Sequence, residues 1–356
     1  MASNMLTRRS MLSKLIGCAA CAPGLRLAAS PASASLKGST GSCGWGIGLA
    51  VDSTKLNDSK YVQFILNNFS LVTLSGMKWD RLRPKPQAFD FSEADTGMQF
   101  AMAHQLRVHG HNLCWNAPGA EPAWFKTDLD RGNAQQTLVN HINTVVTRYK
   151  GKLDCWDIVN EPVVHWSKRP DLLYPGTWVN LLGPQYIDIA FHAAAEADPK
   201  PLRVMNIYDV EQDSANCANV RRAVLALLHQ LLGRGVPVQA IGIESHLDAS
   251  VPLGGPAYVQ FLQEIQSMGL QIMITELDVK ESRTTGSSQD WDRQVSENYR
   301  KYLDDVLPHV TSHRVIFWSA MDRWEAGRRV QGLLEADYSP RLNFNVAQSS
   351  LARLCR

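Results

Sequence analysis

The chain has 356 residues, of which 45% are hydrophobic and 20% charged, a balance typical of a globular protein. Its formal charge of +2 depends on four basic residues within the first 26 positions, so the remainder of the chain is slightly acidic. This charge distribution argues against a nucleic-acid-binding or membrane-surface protein, and no apolar run reaches the roughly 18–20 residues of a membrane span.

The first 34 residues have the pattern of an export signal. Thr7–Leu12 contains the twin arginines, an Ala-rich apolar stretch follows, and Ala32–Ala34 supplies a small-x-small cleavage site. We therefore expect residues 1–34 to be a twin-arginine-type signal peptide and the mature protein to be periplasmic or extracellular. A disordered basic tail is the alternative. A lipoprotein box at Leu15–Cys18 is disfavoured because the apolar run before it is short.

The cysteines do not form a zinc pattern. Cys18 and Cys21 would leave with the signal, so five of the seven cysteines would remain. An odd number of cysteines in an exported protein requires a free thiol or an intermolecular bond. The spacings do not match those of a zinc site. Cys43 and Cys355 would be neighbours in a closed barrel, so the sequence leaves a disulfide between them open.

The body of the chain alternates strand and helix patterns. Eight short apolar runs recur in order: Gly46–Val51, Leu71–Leu74, Arg107–Leu113, Leu153–Val159, Arg203–Tyr208, Ala240–Leu247, Gln271–Val279 and Arg314–Ala320. Helical patterns lie between them, for example Gln135–Tyr149 and Val220–Leu232. Eight such alternations predict an α/β fold, a single (β/α)8 TIM barrel over residues 35–356. An open doubly wound sheet is the alternative, but no Gly-rich phosphate loop follows the first run.

Two glutamates stand at the carboxyl ends of strand runs, where a barrel places its catalytic side chains. Glu161 follows the fourth run, and Glu276 lies near the end of the seventh. Glycoside cleavage needs two carboxyl groups, one to donate a proton and one to attack or to activate water. Either Glu alone could simply pair with an Arg at the barrel mouth, but two on facing strands favour chemistry.

The segments around these glutamates are similar to those of one enzyme family. Trp156–Pro162 and Ile274–Val279 resemble the acid/base and nucleophile signatures of glycoside hydrolase family 10, the retaining xylanases. The resemblance extends over nearly the whole mature chain and includes Gly46–Val51, Met77–Asp80, Gly110–Trp115, Gly183–Pro199, Ser245–Leu247, Val315–Trp318 and Asp322. It implies an endo-1,4-β-xylanase that acts on xylan or xylo-oligosaccharides by double displacement, as a monomer without cofactor or metal.

The resemblance also implies roles at the reacting centre. Glu161 would be the acid/base and Glu276 the nucleophile, with their carboxyl groups about 5–5.5 Å apart. Asn160 would bind the sugar 2-hydroxyl. His246 and Asp278 would orient Glu276 and keep it ionised.

Further residues would contact the sugars. Lys78, His111 and Trp115 would hold the glycone side, and Tyr208 and Trp318 resemble aromatic sugar contacts. The alternative for each aromatic residue is plain core packing, and for His111 it is a buried, hydrogen-bonded histidine.

The chain departs from the family mainly at the distal glycone side. The positions concerned are Leu74, Ser75, Asn116, Pro118 and Ala326. The family usually has Glu-Asn at the first two, His and Gln at the next two, and Trp at the last, although Trp324 lies close by here. The sequence therefore predicts an intact reacting centre and a weak distal glycone subsite.

Glu244 is the departure nearest the chemistry, because the family has Gln there. We expect it to lie beside Glu276, with Glu161 across the cleft, making a cluster of three carboxyl groups that share protons. Ionisation of Glu244 would then raise the pKa of Glu161. The alternatives are a protonated Glu244 and one that points into solvent.

Three other functions remain as alternatives. A retaining glycanase of the same barrel clan could act on another β-glycan, and a degenerate barrel could bind glycan without cleaving it. A metal-dependent hydrolase would need a ligand cluster, of which Glu244 and His246 are the nearest approach, without a third ligand in the sequence nearby.

Overall fold

The computed structural model describes residues 35–40, 43–281, 287–325 and 327–355, and within them nothing is said of the side chains of Ser39, Ser75 and Cys355. The predicted signal peptide, residues 1–34, and Ala326 lie outside the described residues. No helix in the described part of the chain is both long and apolar enough to cross a bilayer.

Eight parallel strands close into a barrel, which confirms the predicted fold. The strands of the chain are β1 Gly46–Val51, β2 Leu71–Leu74, β3 Arg107–Gly110, β4 Cys155–Asn160, β5 Leu202–Ile207, β6 Ala240–Ile243, β7 His246–Asp248, β8 Gln271–Lys280, β9 Arg314–Phe317, β10 Arg323–Glu325 and β11 Arg328–Gln331. The barrel order is β1-β2-β3-β4-β5-β6-β8-β9, and β9 pairs with β1 to close it. A hairpin of β10 and β11 extends β8 at the carboxyl end.

Helices cover the outside of the barrel. They are α1 Leu36–Thr40, α2 Ser59–Asn68, α3 Trp79–Leu82, α4 Ser92–Ala103, α5 Phe125–Asp128, α6 Ala134–Arg148, α7 Thr177–Leu182, α8 Tyr186–Ala197, α9 Ala215–Gly233, α10 Gly255–Ser267, α11 Ser288–Val306 and α12 Leu342–Ala352. The apolar stripe predicted within 135–149 is buried in α6, where Leu138, Ile142 and Val145 are fully enclosed. Burying such stripes against the sheet is what holds each helix in place.

Three strand predictions, the third, sixth and eighth runs, extend three or more residues past the observed ends, and the eighth ends at Phe317 rather than Ala320. The sixth run was expected to be one strand over Ala240–Leu247, but it is divided into β6 and β7 at Ser245, whose φ is 65°. A left-handed residue cannot continue a β-strand. The third strand ends at Gly110 rather than at the predicted Leu113. Gly110 packs so closely against Trp156 that an added Cβ would lie 2.1 Å from the Trp156 ring.

One described cysteine is disulfide-bonded, and three are free thiols. Cys43 is disulfide-bonded, while Cys114, Cys155 and Cys217 are buried free thiols. The side chain of Cys355, the partner that the sequence left open, is outside the described residues.

Candidate active site

A cleft of about 390 Å³ opens at the carboxyl ends of the barrel strands. It brings together all eleven site residues that the sequence predicted: Lys78, His111, Trp115, Asn160, Glu161, Tyr208, Glu244, His246, Glu276, Asp278 and Trp318. They come from loops and strand ends throughout the barrel, so only the closed fold makes them neighbours.

Glu276 is held on β8 by three neighbours. Asn206 donates from Nδ2 to Glu276 Oε1 at 2.8 Å, and His246 Nε2 lies 3.2 Å from Oε2. His111 Nδ1 is 3.6 Å from Oε1. Burial by itself would raise the pKa of Glu276, but the interactions with His111 and His246 outweigh it and hold the pKa below the usual range. This carboxyl group is therefore ionised in the free protein.

His246 belongs to a chain of charged contacts on the far side of Glu276. Its Nδ1 lies 2.8 Å from Asp278 Oδ1, and Arg323 donates from Nη2 to Asp278 Oδ2 at 2.8 Å. Burial would lower the pKa of His246, yet Asp278 and Glu276 raise it well above its ordinary value. The shift favours the protonated imidazole, whose contact with Asp278 fixes its orientation towards the Glu276 carboxylate.

Glu161 lies just past the end of β4 and has the opposite electrostatic environment. Its φ of 47° turns the chain out of the sheet, and its backbone amide donates to the Asn206 carbonyl at 2.8 Å. Burial and the charge of Glu276 raise the pKa of Glu161 to about 7. Glu161 can thus hold a proton near neutral pH while Glu276 does not.

Asn206, which the sequence analysis missed, connects the site residues. Its Nδ2 also lies 2.8 Å from Asn160 Oδ1 and 3.1 Å from Glu244 Oε1, and its Oδ1 accepts from Thr275 Oγ1 at 2.7 Å. The available signal was an amide residue near the carboxyl end of the apolar β5 run. The sequence analysis also missed Asp157 and Arg323, because their partners are distant in sequence. Asp157 Oδ2 lies 2.9 Å from His111 Nδ1, and Arg323 pairs with Asp278.

Glu244 is buried inside the cleft, only 2% exposed, so it does not point into solvent. Burial, followed by the charges of Glu276 and Glu161, raises its pKa well above the ordinary value. This shift favours the alternative to the expected ionised side chain, a Glu244 that keeps its proton. The reason is that Glu276 already carries the negative charge that this enclosed site can stabilise.

A protonated Glu244 leads to a pH prediction. Glu244→Gln should leave the alkaline limb of the kcat/KM profile within about 0.3 pH units of the wild type, since Gln preserves the neutral, hydrogen-bonding group. The measurement is initial rates on an aryl xylobioside across pH 5–9. A fall of the limb by half a unit or more would mean that Glu244 is charged and supports the proton on Glu161.

Aromatic and cationic side chains form one wall of the cleft. Lys78 Nζ lies 5.0 Å from the ring centre of Trp115 and 5.8 Å from that of Trp318. Tyr208 and Trp318 are half-buried and both line the cleft, so neither is plain core. The aromatic rings are suited to pack against the apolar faces of sugars, and the Lys78 ammonium group is suited to donate hydrogen bonds to sugar hydroxyl groups.

Among the described residues of the distal end, Leu74 and Asn116 do not extend this wall. Leu74 is fully buried, and Asn116 is occupied in the core, where its Oδ1 accepts from the Trp178 amide at 2.9 Å. Trp324 lies on the opposite face of β10 from Arg323 and Glu325, which line the cleft. It is 66% exposed.

Beyond Lys78 and Trp318 a second hollow of about 460 Å³ continues the cleft. Arg81 and Glu93 line it, with a separation of 4.0 Å between Nη1 and Oε2.

The family model for glycosyl hydrolase family 10 matches residues 35–349. The chain belongs to this family. It is 31% identical over 296 residues to endo-1,4-beta-xylanase B of Paenibacillus barcinonensis, a match covering 78% of this chain and 84% of that protein. It is 28% identical over 267 residues to endo-1,4-beta-xylanase B of Thermotoga neapolitana, covering 74% of each.

Solved structures of family 10 members have the same fold. Xylanase 10B from Thermotoga maritima superposes with a TM-score of 0.80 at 29% identity, covering 90% of this chain and 99% of that one. Xylanase 10B from Thermotoga petrophila, solved in complex with xylobiose, gives 0.80 at 28% identity, with coverages of 90% and 98%.

One feature of this family 10 site could hold a metal. Glu244, His246 and Glu276 each offer a donor atom within 4.8 Å of the other two. The sequence suggested the first two and lacked a third ligand, which β8 supplies.

Proposed function

We propose that this chain is an endo-1,4-β-xylanase that hydrolyses internal bonds of xylan with retention of configuration. The observation that carries the proposal is the opposite protonation of two strand-end glutamates in one cleft: the pKa of Glu161 is raised to about 7, and that of Glu276 is lowered. An acid and an ionised nucleophile are the pair that double displacement requires. The relatives named endo-1,4-beta-xylanase support the choice of xylan.

In the first step the Glu276 carboxylate attacks the anomeric carbon while Glu161 protonates the leaving glycosidic oxygen. The C–O bond to the leaving sugar breaks, and a covalent ester forms between Glu276 and the glycone. Asn160, held through Asn206, is placed to bind the sugar 2-hydroxyl, a contact that strengthens in the oxocarbenium-like transition state. His246 keeps the attacking carboxylate oriented.

In the second step Glu161, now a carboxylate, removes a proton from water, and the resulting hydroxyl attacks the anomeric carbon. The ester bond to Glu276 breaks, and both glutamates return to their starting protonation states. Two inversions at one carbon give net retention. Lys78, Trp115 and Trp318 hold the glycone during both steps.

A panel of polysaccharides tests this function. Purified glucuronoxylan, arabinoxylan, mixed-linkage β-glucan and carboxymethylcellulose are digested separately, and the products are separated by size. Xylo-oligosaccharides of mixed length should accumulate early, with little release from the glucans. Preferential cleavage of a glucan would instead assign another β-glycan, and binding of xylan without any product would indicate a non-catalytic protein.

The distal end gives a second quantitative prediction. Because Leu74 is buried in the core and a charged pair lines the adjoining hollow, extension of an aryl xyloside to an aryl xylobioside should raise kcat/KM less than in family relatives. The Paenibacillus barcinonensis enzyme assayed in parallel is the control. A gain of several thousand-fold, about 5 kcal/mol of transition-state binding, would contradict a weak distal subsite.

A further inference from the structure

Three donor atoms of different residues converge beside the nucleophile. His246 Nε2 lies 3.2 Å from Glu276 Oε2 and 3.8 Å from Glu244 Oε2, and one donor atom from each of the three residues lies within 4.8 Å of the others. Zinc bonds to nitrogen and oxygen are about 2.0–2.2 Å long, so tetrahedral ligands stand roughly 3.3–3.5 Å apart. The separation between His246 and Glu276 is close to this spacing, that between His246 and Glu244 is slightly longer, and that between the two carboxylate oxygens is no more than 4.8 Å.

The surrounding contacts fix these atoms in the way that metal ligands are fixed. The other imidazole nitrogen of His246 is bonded to Asp278, which Arg323 holds in turn, an arrangement that usually orients a metal-binding histidine. The other carboxylate oxygens of Glu244 and Glu276 are bonded to the same Asn206 amide. Each residue therefore keeps one donor atom for the cleft.

The charge balance also suits a divalent cation. Two carboxyl groups, 2% and 3% exposed, are buried here beside the imidazole of His246. A divalent cation bound between them would balance two carboxylate charges, and buried charges in proteins are usually paired or coordinate metals.

We propose that Glu244, His246 and Glu276 form a binding site for a divalent transition metal of the zinc type, with its remaining position open to the cleft. The ion would bind the oxygen of Glu276 that faces His246 and remove this carboxylate from nucleophilic attack. The site is thus inhibitory. The binding claim stands on the geometry alone, while the inhibition rests on the proposed function.

Zinc binding to the full-length mature protein tests the proposal. Zn²⁺ is titrated calorimetrically at pH 7.5 in a non-chelating buffer, and Co²⁺ is added separately to record its visible absorption. One Zn²⁺ per chain should bind. Glu244→Gln and His246→Gln should each weaken binding at least tenfold, and each should reduce the tetrahedral Co²⁺ absorption.

Asp209→Asn is the matched control, since it converts another cleft carboxylate to an amide. Asp209 pairs with His165 at 2.5 Å and does not contact the three ligands, so Zn²⁺ affinity should stay within about twofold of the wild type. Equal binding by all variants, or no binding at 1 mM Zn²⁺, would overturn the site. Folding of each variant is checked by circular dichroism.

Activity separates this proposal from the one on which it rests. Zn²⁺ should inhibit hydrolysis of an aryl xylobioside competitively, and Glu244→Gln should raise its inhibition constant at least tenfold. Zinc binding by a protein that hydrolyses no xylan would reject the proposed function and keep the metal site. Xylan hydrolysis by a protein that binds no zinc would reject the metal site and keep the proposed function.

Discussion

Glu276→Ala should lower kcat/KM at least 10⁴-fold on every glycoside, whatever its leaving group. Without this carboxylate no glycosyl ester can form, and 10⁴-fold corresponds to about 5.5 kcal/mol of lost transition-state stabilisation. The measurement is steady-state hydrolysis of an aryl xylobioside and of xylan. Asp209→Asn, which changes a carboxyl group of the same cleft away from Glu276, should lose far less.

One outcome would contradict this role of Glu276. Activity within a hundredfold of the wild type would mean that another carboxylate attacks the anomeric carbon. Glu244 offers a carboxylate oxygen within 4.8 Å of Glu276, so the double variant with Glu244→Gln would then test whether Glu244 attacks.

Glu161→Ala should separate substrates by their leaving group. A dinitrophenyl xylobioside needs little proton assistance to depart, so the glycosylation step should survive with a loss of about tenfold or less, whereas cleavage of xylan should fall 10³-fold or more. Hydrolysis of the glycosyl ester should be slow because no base activates water. A burst of dinitrophenolate followed by slow turnover is the expected trace.

Azide provides the control for this assignment. It is already a nucleophile and needs no base, so it should accelerate the slow phase in Glu161→Ala and yield the β-glycosyl azide. It should have no such effect in the wild type. Equal losses on activated and unactivated substrates, with no azide rescue, would show that Glu161 is not the acid/base.

The pH profile follows from the same group. Since the pKa of Glu161 is raised to about 7, the free enzyme loses its acid above this value, and kcat/KM on xylan should fall as pH rises through it. The raised pKa belongs to a coupled cluster, so the limb reports the group of carboxyls as a whole.

The barrel could be predicted because its signal is local. Most apolar runs and helix stripes lie within one element, and five of the eight runs match observed strands to within two residues at each end. The division at Ser245 could not be predicted, because its φ of 65° depends on contacts outside the run, including the bond between its backbone amide and Glu211. Local pattern predicts where strands occur, and tertiary contacts decide where they break.

In the active site, too, local sequence signals were predictable and contacts across the barrel were not. Glu161 and Glu276 were identified by their positions at strand ends, and all eleven predicted residues line one cleft. Asn206 and Arg323 were missed because their importance lies in contacts made across the barrel. The protonation of Glu244 likewise depends on burial and on distances to two other carboxyl groups, which no sequence pattern contains.

The stereochemistry of the first product tests retaining xylan cleavage most directly. Xylopentaose is hydrolysed in an NMR tube by enough enzyme to complete the reaction before mutarotation, and the anomeric protons are followed. The account predicts that the β-anomer of the newly formed reducing end appears first and the α-anomer only later, by mutarotation. An initial α-anomer would contradict the double displacement and the roles of Glu161 and Glu276.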